Sequence, residues 1–119
     1  MAVGLGLDIS IVDAHTHAFS PDLLKQRDIV VQEDHWFGEL YRNPLANAFD
    51  ACAVQESSAH AGIVSTLLCG FPWSDEGRCR EENAYLADAA KASHGALSWL
   101  GTVVPGDAIA PVDAAWLVA

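Results

Sequence analysis

The chain has 119 residues, enough for one domain with a modest core, and 51% of them are apolar, which excludes a disordered segment. A formal charge of −10 argues against nucleic acid and against an anionic membrane surface as partners. No apolar stretch is long enough for a bilayer, and no basic region precedes an apolar run at the start, so neither a transmembrane helix nor a signal peptide is expected.

In chain order, residues 1–6 form a lead-in and a first strand is expected over about residues 7–14. It is apolar on both faces except at Ser10 and Asp13, the pattern of a parallel strand covered on both sides. The strand runs into Asp13-Ala14-His15-Thr16-His17. Alternate side chains of a strand share a face, so His15 and His17 should converge and Asp13 should lie on the same side. Two neutral imidazoles on one rigid element are half of a first-row metal site, with zinc the default ion. The plainer alternative is an exposed, idle pair at a strand exit.

Residues 18–47 read as a long loop, with a helical turn in PDLLKQRD capped by Ser20 and opened by Pro21. The segment carries His35, Trp36, Phe37, Tyr41 and Arg42, suited to stacking on a ring and holding a carboxylate, or simply to pinning the loop down. A helix over residues 48–61 should stop at Gly62. A second strand over residues 63–69 leads to the turn Gly70-Phe71-Pro72-Trp73. The next helix, over residues 80–93, presents Cys79, Asn83, Leu86 and Ala90 as one stripe, on which a buried Asn83 needs hydrogen-bond partners. Arg78 and Arg80 at its start could hold an anionic group or sit exposed. His94-Gly95 ends it, a third strand spans residues 97–104, and residues 111–119 look like the opening of another helix. Cys52, Cys69 and Cys79 are odd in number and lack metal-type spacing, so they read as reduced thiols of a cytoplasmic protein.

Four stretches, IVDAHTHAFSPDL, WFGELYRNP, LLCGFPW and CREENAYLADAA, together resemble the amidohydrolase-related family (amidohydrolase family 2) of metal-dependent hydrolases. The resemblance covers most of residues 8–105, in order. Gln55, Ser57 and Ser58 depart from it, standing where larger apolar side chains are expected. It implies a (β/α)8 barrel with a divalent metal, zinc by default, at the mouth. His15 and His17 would be the first two ligands, and Trp36, Arg42, Trp73 and Arg80 the substrate contacts. The implied reaction is hydrolysis of a C–N or C–O bond of a small molecule by metal-activated water.

Such a barrel takes about 250 residues, so the 119 here look like its first three βα units. The other ligands and the catalytic aspartate would come from later strands, so no catalytic residue is assigned and the isolated chain is expected to be inactive. Its open sheet should self-associate or meet the missing barrel half. The alternatives are a non-enzymatic interaction module, a related metal-dependent decarboxylase, and other His-x-His barrels of the phosphoesterase or deoxyribonuclease type.

Overall fold

A computed structural model describes residues 8–106 and 114–115. It is an α/β fold built on a parallel sheet in the order β1-β2-β3. The strands are β1 (Ile11–Thr16), β2 (Ile63–Cys69) and β3 (Leu97–Leu100). The second strand falls on its expected residues, bounded by Gly62 at φ +75° on one side and Gly70 on the other. The third is shorter than expected and leaves residues 101–104 outside the ladder. The helix expected over residues 111–119 lies largely outside the described residues.

Residues 18–47 are mostly helical rather than a loop. They form α1 (Pro21–Lys25), α2 (Arg27–Glu33) and α3 (His35–Tyr41). Ser20 caps α1 by accepting from Leu23 N–H at 3.2 Å, with Pro21 at the first helical position. Asp34 ends α2 and caps α3: one carboxylate oxygen accepts from Phe37 N–H at 3.0 Å, the other from Ser74 N–H at 2.8 Å. That buried carboxylate therefore ties the segment to the turn after β2. Arg27 does similar work at the far end, donating to the carbonyls of Tyr41, Asn43 and Ala46.

The remaining helices are α4 (Ala51–His60) and α5 (Glu76–Ala92). Their N-caps are Asp50, accepting from Ala53 N–H, and Asp75, accepting from Arg78 N–H. The Asp75 cap starts α5 four residues before the expected Arg80. At its end His94 and Gly95 both take positive φ, 52° and 95°, and turn the chain into β3.

Two apolar cores result. Leu68 and Leu97 from the sheet pack with Ala51, Val54 and Leu86 from α4 and α5. The second core gathers Phe19, Leu23, Val30, Val31 and Phe37 from the helical segment with Phe71, Trp73 and Cys79. Coverage of β1 is poorer than its apolar sequence suggests: Val12 is 59% exposed, as is Leu100 of β3 at 56%. Helices therefore cover the sheet on one side while these side chains stay open to water. Among the described residues, no helix is long and apolar enough to cross a membrane.

Candidate metal centre

The exit of β1 brings two imidazoles together. His15 Nε2 and His17 Nε2 are 3.3 Å apart, with ring centroids at 5.1 Å and planes nearly perpendicular. His17 is the better held of the two. Its Nδ1 lies 3.0 Å from the carbonyl oxygen of Cys69, at the end of the neighbouring strand. A carbonyl oxygen only accepts, so the neutral ring carries its proton on Nδ1 and leaves a lone pair on Nε2. The ring edge also meets Phe71 at 5.6 Å. His15 is exposed.

Asp13, expected on the same side, lines one pocket with His17 but is held by its own neighbours. The pairing of β1 with β2 shifts register between Asp13 and Thr16, and Asp13 opposes Thr66, a residue buried beneath α4. Both carboxylate oxygens are engaged locally. One accepts from His15 N–H at 3.1 Å and the other from the Thr16 hydroxyl at 2.8 Å. Those two hydrogen bonds, the backbone one first, hold the Asp13 carboxyl below its usual range against a smaller opposing effect of burial. Asp13 therefore shapes the strand exit rather than extending the donor set.

The four residues expected at a substrate face lie on or next to α3, on α5 and in the turn after β2. Trp36 is exposed on α3, against the His35 ring at 4.8 Å. Arg42 is exposed at the C-cap of α3. Arg80 lies on α5 and approaches Glu76, one turn earlier, at 3.8 Å. Trp73 is a core residue, 4% exposed and stacked on Phe37 at 5.7 Å, with the Arg78 guanidinium over it. An indole in that position supports the aromatic core and presents no face to a ligand.

Sequence reasoning missed two features, one at this centre and one at the start of α1. The Cys69 carbonyl has no side-chain signature, and it lies 52 residues from His17. Glu82 on α5 is buried, yet its carboxylate takes Ser20 N–H at 2.9 Å and the Ser20 hydroxyl at 2.5 Å, joining α5 to the start of α1. Burial pushes the Glu82 carboxyl up, and the Ser20 hydrogen bonds only partly offset it. Its folded pKa therefore lies above the unfolded one. The contribution to stability is full below the unfolded value, near 4.5, and is lost as pH rises through the folded value. Relative to Glu82→Gln, wild type should lose stability as pH rises above about 4.5, read as urea midpoints of both proteins. A gap that stays constant or widens in the other direction contradicts this assignment.

Among the described residues, no group of three or more His, Cys, Asp or Glu side chains could hold a metal ion. The imidazole pair nevertheless has the right bite. Two nitrogens bound at about 2.0–2.1 Å to a tetrahedral zinc ion stand about 3.3–3.4 Å apart, against 3.3 Å between the Nε2 atoms here. Comparison of the chain with protein-family models, curated proteins and solved structures gives no match.

Proposed function

We propose that the chain is the amino-terminal part of a metal-dependent hydrolase of the amidohydrolase type, with His15 and His17 as two ligands of a divalent ion, zinc by preference. The observation carrying this reading is the Nε2–Nε2 separation of 3.3 Å, with the His17 ring already turned by the Cys69 carbonyl so that Nε2 faces outward as a donor. The parallel order β1-β2-β3, with helices between successive strands, is what the opening of a (β/α)8 barrel would have, and the pair stands at the carboxyl end of β1. When bound, the ion would supply a polarised water or substrate carbonyl for cleavage of a C–N or C–O bond.

This chain's own residues would hold the ion and orient it. Trp36 and Arg42, both exposed, and Arg80 on α5 remain the candidates for substrate contact. Two imidazoles bind more weakly than the three protein ligands usual in catalytic zinc sites. The resemblance puts the remaining donors and the general base on later strands of the barrel, so the isolated chain should take up zinc without turning over substrate. Isothermal titration tests the ligand reading: one zinc per chain is expected, and no uptake at millimolar zinc would overturn it.

Exposure of Val12 and Leu100 on the sheet favours a second reading, a non-enzymatic module that buries this face against another protein or copy. A monomer in sedimentation that fails to bind a hydrophobic dye would remove it.

A further inference from the structure

We propose that Gly70, braced by Thr102 and Asn83, is a positioning residue that fixes the tautomer and aim of His17. The proposal rests on the reading of His17 Nε2 as the metal-facing atom, and it concerns how that aim is set from two strands away.

The Cys69 carbonyl and the Gly70 N–H belong to a single planar trans peptide unit and point in opposite directions. The carbonyl accepts from His17 Nδ1 at 3.0 Å, while the N–H donates to the Leu100 carbonyl at 2.7 Å. Shifting the unit towards one partner draws it away from the other, and tilting it misaligns both bonds. Its orientation is therefore set jointly by β1 and β3, and the imidazole follows.

Gly70 needs no unusual dihedral here; what it lacks is room. A Cβ at this position would lie 2.9 Å from Thr102 Cγ2, 3.0 Å from Thr102 N and 3.1 Å from the Leu100 oxygen. Two of those three atoms are backbone and cannot swing aside. Any side chain would push the peptide unit away from Leu100, and the Cys69 carbonyl would turn with it.

Thr102 is itself gripped. Asn83, 4% exposed, donates from Nδ2 to the Thr102 carbonyl at 2.7 Å and accepts from the Thr102 N–H at 3.1 Å. A side-chain amide thus adds a two-bond rung where the β3 ladder has ended. The Thr102 hydroxyl donates to the Phe71 carbonyl at 2.9 Å, and the Phe71 ring meets His17. Cys79 Sγ lies 3.2 Å from the same Thr102 carbonyl. Asn83, one turn beyond Cys79 on α5, thereby controls a ring that it does not touch.

The test is long-range proton–nitrogen NMR of the metal-free chain at a pH above the imidazole titration range, paired with zinc titration. Wild type should show His17 predominantly protonated on Nδ1. Gly70→Ala and Asn83→Ala should shift it towards the Nε2-protonated form and weaken zinc binding by about 10- to 100-fold. Leu86→Ala, a core loss on the same helix, should lower the melting temperature yet leave the tautomer and affinity unchanged. Should Gly70→Ala fail to fold, Thr102→Val against Thr102→Ser decides, since only the serine keeps the hydroxyl that reaches Phe71. An unshifted tautomer in folded Asn83→Ala or Thr102→Val, or an equal shift in Leu86→Ala, overturns the proposal. A tautomer that shifts as described in a chain that binds no zinc supports the clamp and removes the metal reading beneath it.

Discussion

Replacing His15 and His17 together by alanine is expected to lower zinc affinity by about a hundredfold or more, because it removes both nitrogen donors. The comparison with wild type matters more than either affinity alone. A chain of net charge −10 attracts cations through scattered carboxylates, and that weak background should survive in the variant. Single substitutions should fall between. His15→Ala leaves the oriented His17 ring in place, whereas His17→Ala also leaves the Cys69 carbonyl without its donor, at a cost of about 1 kcal/mol in stability. Neither imidazole belongs to an apolar core, so helix content and cooperativity of unfolding should persist. Equal zinc affinity in wild type and the double variant would remove the ligand assignment.

Phe19→Ala is expected to be the most damaging single change to the fold, at about 3–5 kcal/mol. Phe19 is 1% exposed and is the hub of the aromatic core, with Phe37 and Tyr41 at 5.3 Å, Phe71 at 5.5 Å and Trp73 at 5.8 Å. Its N–H also donates to the Phe49 carbonyl, drawing in the entry to α4. Domains are typically stable by only about 5–15 kcal/mol, so such a loss should leave much of the variant unfolded or shift its urea midpoint far downward. Phe49→Ala supplies the contrast: that ring is half exposed, and its removal should cost under about 1 kcal/mol. Similar midpoints for the two variants would show that the aromatic core is not the organising element described here.

The physics of legibility differs from element to element. β2 could be read residue by residue because an apolar run, Ile63–Cys69, sits between two glycines. The start of α1 was legible through Ser20-Pro21, a cap that works locally. Asp75 was harder, since Gly77 two residues later argues against a helix already under way, yet the Asp75 carboxylate secures the first turn. Residues 18–47 defeated periodicity for a related reason. Helices of five and seven residues are too short to show a stripe, and the Asp34 cap between them is recognisable only once Ser74 is known to be its second partner.

The site was legible in part. Convergence of His15 and His17 follows from strand parity, and the 3.3 Å approach bears out the placement on one side. Parity said nothing of the His15 N–H and Thr16 hydroxyl that occupy the Asp13 carboxylate. Trp73 shows the limit of reading aromatics by type: an indole after a Gly-Phe-Pro turn suits a binding face or a core equally, and packing against Phe37 decided for the core. The Cys69 carbonyl and the Asn83 grip on Thr102 are long-range backbone contacts, which side-chain identity does not announce.

X-ray absorption at the zinc edge of the loaded chain tests the central claim most directly. The predicted spectrum contains the outer-shell scattering of two imidazole rings, with nitrogen at about 2.0–2.1 Å, and loses it in the His15→Ala/His17→Ala variant. A wild-type spectrum fitted by oxygen donors alone, with no imidazole scattering, would contradict it.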